Sequence, residues 1–157
     1  MNITVGAPRA RRRTQGLWLI IAALAVCSAI VLILLGVTFL PAVVAYANYE
    51  PQEGDVIFQS LPFSPLVVAI EGATKSPYSH CGIVAKEEGH WVVYEALRPV
   101  GPTPLREFIF RGRNHSFAVY RLQAEHQQHV PATLAKVRGY RGRPYDERYR
   151  LDDEAAA

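Results

Sequence analysis

The 157-residue sequence is poor in sulfur, with one methionine and two cysteines, Cys27 and Cys81. Two cysteines cannot build a disulfide scaffold or a cysteine zinc site. No period or low-complexity tract is visible, which excludes collagen-like, coiled-coil, repeat and disordered classes. Acidic residues are absent before Glu50, and no charge of either sign occurs from Gly16 to Leu40. The five histidines, His80, His90, His115, His126 and His129, show no zinc spacing, and the pair at 126 and 129 is a weak metal motif. No metal and no cofactor is implied.

A pI of about 9.0 and a formal charge of +3 suggest a nucleic-acid binder at first sight. The excess is local. Arg9, Arg11, Arg12 and Arg13 stand together with no acid beside them, and the other thirteen basic residues face fourteen acidic ones. The basic balance therefore belongs to the amino terminus, and no nucleic-acid partner is expected. The patch of Arg138, Arg141, Arg143, Arg148 and Arg150 is interleaved with Asp146, Glu147, Asp152, Asp153 and Glu154. It reads as a mixed solvated surface.

Half of the residues are hydrophobic, and the mean hydropathy is +0.04. The excess lies in the uncharged run from Gly16 to Leu40. At about 1.5 Å rise per residue, that run crosses a hydrocarbon core of about 30 Å. Positive flanks stay in the cytoplasm. The expected layout is a basic cytoplasmic tail over 1–15, a transmembrane helix over 16–41 and a stalk over 42–52. A domain over 53–157 then lies on the outer, periplasmic or extracellular, side. Pro41 is expected to end the span. A signal peptide is the alternative, since Ala45-Tyr46-Ala47 resembles a cleavage site, but signal peptides carry an apolar region of only about 7–15 residues. A lipoprotein reading through Cys27 is weak, because Val26 is larger than the small residue such a site needs. Cys27 and Cys81 cannot pair, since Cys27 falls within the span.

The outer part reads as a small α/β or α+β domain. Strands are expected over Asp55–Gln59, Ser79–Ala85, Trp91–Ala96 and Ser116–Leu122, with a charged turn over Lys86–His90. Helices are expected over Ser64–Lys75, with Ser64 as cap and Pro65 behind it, over Pro104–Arg111, with Thr103 as cap, and over Val130–Tyr140.

His80 opens a strand at a loop junction, where reactive groups are often displayed. A five-residue hairpin turn sets it opposite Glu95 or Ala96. A His–carboxylate pair across strands fixes the imidazole tautomer. An unpaired Glu95 would also be costly inside the apolar run Val92–Ala96. Cys81 and Ser79 neighbour His80 on the same strand and so point to the other face. Cys81 reads as a buried, inert core cysteine. Tyr145 and the acids Asp152, Asp153 and Glu154 form no recognisable constellation.

Several segments in this order resemble one family. They are Gly54-Asp55-Val56-Ile57-Phe58-Gln59, Ala69-Ile70 with Ala73-Thr74, Ser76-Pro77-Tyr78-Ser79-His80-Cys81-Gly82-Ile83-Val84, and Val93-Tyr94-Glu95-Ala96. The likeness continues through Pro104-Leu105, Phe108-Ile109, Val119–Leu122 and Gly142–Asp146. Over residues 53–154 the chain is similar to the YaeF/YiiX permuted papain-like amidases, relatives of the NlpC-type cell-wall hydrolases. The resemblance implies an α+β papain-like domain of rearranged chain order, with an antiparallel sheet. It implies His80 as the catalytic histidine and Glu95 as its orienting acid. It also implies a late nucleophilic cysteine at a helix start, acting on a peptide or acyl-amide substrate by acyl transfer. Asp152-Asp153-Glu154 fits the approach to that cysteine, but Ala155-Ala156-Ala157 follow. The chain as given is thus expected to hold His80 and Glu95 without their thiol. It reads as a membrane-anchored cysteine hydrolase cut short, or alternatively as an inactive envelope binding module or a fragment.

Overall fold

A computed structural model describes residues 10–97 and 99–145. They form two compact units that divide after Pro41. Helix α1, Ala10–Asn48, makes up the described part of the first unit and its last seven residues belong to the second; within it Gly16–Asn48 is a 33-residue apolar stretch, long enough to be a membrane span or a signal sequence. The side-chain hydroxyls of Ser28 and Thr38 donate back to Leu24 O (2.8 Å) and Leu34 O (2.7 Å). Neither hydroxyl is left unpaired along the apolar surface, as hydrocarbon would require. Pro41 does not end the helix as expected, since α1 continues to Asn48 through residues assigned to a stalk. A proline removes one N–H, but the turns around it still close.

The second unit is built on a five-stranded antiparallel sheet in the order β4-β3-β2-β1-β5. Its strands are β1 Val56–Gln59, β2 His80–Glu87, β3 His90–Ala96, β4 Val100–Pro104 and β5 Phe117–Tyr120. Helix α2, Pro65–Thr74, follows β1, and the Ser64 hydroxyl accepts from Val67 N as the cap requires (3.2 Å). Helix α3, Leu105–Arg111, follows β4, and α4, Val130–Gly139, follows β5. One face of the sheet and α3 form a core of Ile57, Val84, Val93, Leu105, Phe108 and Ile109, against which Tyr46 and Tyr49 also pack. The other face packs Ala85 and Tyr94 on Val130 and Leu134 of α4.

Two details differ from the sequence reading. The β2–β3 turn is tighter than five residues: Glu87 pairs with His90, leaving Glu88 and Gly89 at positive φ (49° and 84°). That is the two-residue turn whose twist suits a hairpin. Residues 100–104 form β4, so Thr103 lies in a strand and the helix cap is Pro104 without a side-chain bond. With Pro102 and Pro104 among its five residues, β4 can pair only as an edge.

Asp55 anchors the start of the sheet. It is fully buried, and Arg121 donates to it through Nε (2.6 Å) and Nη2 (2.8 Å), with Tyr49 Oη (2.8 Å) and Gln52 N (2.9 Å) completing the set. Burial alone would raise the Asp55 carboxyl, but these donors together hold it below the usual range. Removing the cation leaves a buried charge underpaired. Arg121→Met is expected to cost roughly 3 kcal/mol, read as a lowered urea midpoint of the full chain in detergent.

Candidate active site

His80 and Glu95 meet as expected, but through a different register. Ile83 pairs with Tyr94 and Val84 with Val93, which puts Gly82 rather than His80 across from Glu95. The contact is therefore diagonal, within the reach of long side chains. It depends on Gly82. A Cβ there would lie 2.3 Å from Val93 Cγ1, 2.8 Å from Tyr94 O and 3.5 Å from Glu95 Cβ. Only glycine lets β2 and β3 close tightly enough for the diagonal pair.

His80 Nε2 lies 2.5 Å from Glu95 Oε2. A carboxylate only accepts, so Nε2 carries the hydrogen and, in the neutral ring, Nδ1 holds the lone pair. The imidazole stacks on Phe108 (centroids 5.9 Å apart, planes at 30°), and the Arg111 guanidinium covers the same phenyl ring at 5.4 Å. The ring is thus fixed by a hydrogen bond along one edge and by packing on a face.

Glu95 has three partners, two of which the sequence reading did not find. Arg111 grips it with both terminal nitrogens, Nη1 to Oε1 at 2.9 Å and Nη2 to Oε2 at 2.6 Å. The Thr103 hydroxyl donates to Oε1 at 2.5 Å. With His80, each carboxylate oxygen accepts two hydrogen bonds, which uses its acceptor capacity. Burial (4% exposed) pushes the Glu95 carboxyl up, and the bonds from His80, Arg111 and Thr103 outweigh that and hold it down to about 2. Arg111 could have been suspected, since it stands three residues after Phe108 on one face of α3. Thr103 could not, because its strand was not recognised.

Cys81 departs from expectation. It is exposed rather than a buried core residue. It lies on the sheet face opposite His80, beside Phe58, at a level that the α4 core cluster of Ala85, Tyr94, Val130 and Leu134 does not include. A cavity of about 310 Å³ there is lined by Phe58, Tyr78, Ser79, His80, Cys81, Ala96 and Tyr145. Desolvation nevertheless pushes the thiol up, the opposite of what activates a nucleophile. A second cavity of about 430 Å³ lies beyond Glu95, bordered by Thr103, Glu107, Arg111 and Arg141. The Ser79 hydroxyl accepts from Leu61 N (3.0 Å) and so has a structural task.

Gln59 is a further unexpected feature. It pairs with His80 across β1 and β2, is fully buried, and its amide oxygen and nitrogen have no partner among the described residues. The remaining candidates fall elsewhere. His126 and His129 stack on one another at the surface, centroids 6.4 Å apart, with His126 near Glu125. Arg138 pairs with Glu53 and Glu87, as a mixed solvated surface would. Arg148, Arg150, Asp152, Asp153 and Glu154 lie outside the described residues.

The carboxylate network has a pH signature. The unfolded chain takes up a proton at Glu95 near the ordinary value of 4.5, whereas the folded site holds out to about 2. Stability is complete above 4.5 and drains as pH falls through that window, by on the order of 3 kcal/mol. Arg111→Met should flatten this loss, so denaturation midpoints of the two proteins should converge on acidification from pH 5 to 2.5. Gly82→Ala should lower the midpoint at every pH, by about 2 kcal/mol of overpacking.

Comparison with known proteins gives the family. The model of the permuted papain-like amidase family, YaeF/YiiX, C92, matches residues 50–156. The uncharacterized protein YiiX of Escherichia coli K12 is 36% identical over 125 residues, covering 77% of this chain and 59% of that protein. A crystal structure of metalloprotein YiiX from Escherichia coli O157:H7 superposes with a TM-score of 0.53 at 38% identity, covering 62% of this chain and 54% of that one. The chain thus spans less than two thirds of the length of these relatives. Among the described residues no three His, Cys, Asp or Glu side chains converge as metal ligands. Glu95, the acid beside His80, already has Arg111 as its cation. The described site does not fit a metal. The family model over residues 50–156 and the 36% identical relative show that this chain belongs to the permuted papain-like amidase family of YaeF and YiiX.

Proposed function

We propose that the chain provides the histidine–carboxylate half of a membrane-anchored cysteine hydrolase acting on amide bonds. The observation that carries this is the His80–Glu95–Arg111 arrangement, which leaves Nδ1 as the basic nitrogen of a ring fixed in place. In the proposed reaction Nδ1 takes the thiol proton, the thiolate attacks an amide carbonyl, and the imidazolium returns the proton to the leaving amine. Water activated by the same nitrogen then releases the acyl group. Glu95 holds the ring in the tautomer that aims Nδ1 at the thiol.

Among the described residues the thiol beside His80 is that of Cys81, which lies on the opposite face of the sheet and is pushed up, so it is a poor nucleophile. That placement supports a second reading, a domain that binds peptide or acyl-amide ligands without cleaving them. In both readings α1 is the anchor, with the arginine-rich tail inside and the sheet domain outside.

Amide hydrolysis separates the two. The full chain, extended with a cysteine-bearing helix of the kind the family resemblance implies, is assayed on a cell-wall peptide and on an N-acyl amide. The amidase reading expects turnover that falls at least about a thousandfold in His80→Ala and is unchanged in Cys81→Ser. An extended chain that is inactive, or indifferent to His80→Ala, would sink it. Saturable binding of either ligand without turnover would support the second reading.

A further inference from the structure

Helix α2 is inside out. Between Leu61 and Thr74 the only charged residue is Glu71, and it turns toward the domain, its side chain only partly exposed. There Arg113 Nη2 donates to both its oxygens (2.9 and 3.0 Å) and Ser60 donates to Oε1. The apolar residues turn outward: Phe63 is 76% exposed, Val68 56% and Leu66 46%, while Val67 alone of the helix is buried. A helix on a soluble domain shows the reverse pattern.

The polar side chains of the segment are also consumed internally. The Ser64 hydroxyl accepts from Val67 N, and Thr74 Oγ1 donates to Ile70 O (2.8 Å). These bonds are ordinary helix capping and back-bonding, and they leave the outer face without an unpaired hydroxyl, as contact with hydrocarbon requires. Cations sit at its margin. Arg113 lies over the Phe63 ring at 4.1 Å, and Lys75 follows the helix in the left-handed conformation at its cap.

We propose that α2 and the preceding Leu61–Phe63 loop form a second membrane contact, in which Phe63, Leu66 and Val68 enter the acyl region of the bilayer and Lys75 meets anionic headgroups. The choice of lipid as occupant rests on the reading of α1 as an anchor. Only seven residues separate Asn48 from β1. Seven extended residues reach about 25 Å, so an anchored chain keeps the domain within its own dimensions of a bilayer. An interfacial helix of this kind needs its apolar side chains outward and its polar groups satisfied, both of which hold here. The contact would keep the His80 cavity at the membrane surface, where an acyl-amide substrate partitions.

The test uses the full chain, with Cys27→Ser and Cys81→Ser, reconstituted in vesicles of phosphatidylcholine and phosphatidylglycerol. A polarity-sensitive fluorophore is attached through Leu66→Cys, Ile30→Cys or Lys136→Cys, the last on α4. Nitroxide lipids should quench the labels at 66 and 30 at least about twofold and leave the label at 136 unaffected. Phe63→Ser together with Val68→Ser should abolish quenching at 66 and leave it at 30. A label at 66 that behaves like the one at 136 overturns the proposal, whichever way position 30 reads. A blue shift at 66 that lipid nitroxides do not quench also overturns it, assigning the face to a second copy when it grows with protein concentration and to the chain itself when it does not. Quenching at 66 with none at 30 supports the contact and removes the anchor reading. None of these readouts depends on hydrolysis, so the amidase reading stands or falls separately.

Discussion

A carboxylate with every acceptor site occupied organises this domain. Glu95 is carried into the interior by β3, where an isolated charge would be untenable. Three elements converge to hold it: β2 through His80, β4 through Thr103 and α3 through Arg111. None of these residues is close to another in sequence. Their convergence ties β2, β4 and α3 to one point on β3, and the diagonal reach from His80 needs the close approach of strands that Gly82 permits. Asp55 repeats the device at the other end of the core, with Arg121 of the segment after β5 and Tyr49 of the segment after α1. Both carboxylates are deeply buried, and each is gripped by an arginine using two nitrogens, the geometry that returns the most for desolvating a charge.

The arginine on Glu95 also changes how the pair is read. A carboxylate already neutralised by a guanidinium has less charge to offer an imidazole. Its contribution in this site is therefore mainly geometric: it selects the tautomer and aims Nδ1. The same arrangement excludes a cation from this acid, since both oxygens are fully engaged. Phe108 supports the geometry from the ring face, and its own position is set by the fully buried core of α3. Core packing and site geometry are thus one system.

Much of this was legible in the sequence because it is local. Ser64-Pro65 marked a helix start by capping chemistry, and it is one. The apolar run from Gly16 to Leu40 declared its length by composition. His80 and Glu95 could be paired from hairpin arithmetic, although the register was off by one or two positions. The error has a physical source: Glu88 adopts a left-handed backbone, which non-glycine residues seldom do, so the two-residue turn was hidden inside a charged segment. Strand β4 was missed because two prolines speak against any strand, and only its place at the sheet edge makes them tolerable. Losing β4 meant losing Thr103. Cys81 was assigned to the core by alternation alone, which gives the face a residue points to but not whether anything covers that face.

The exposure of Cys81 and of α2 raises one common question, which concerns partners and not errors of folding. A small domain cannot bury all its apolar surface, and scattered exposed residues need no explanation. Neither feature is scattered. The cavity around Cys81 is lined by three aromatic rings and opens beside His80. Helix α2 follows directly on the strand that carries Gln59, the buried neighbour of His80. Contiguous apolar surface on a folded domain marks a place where another apolar phase is met. The cavity beside His80 and the outer face of α2 are therefore two places on one domain where contact with an apolar phase is to be sought, whatever the histidine acts on.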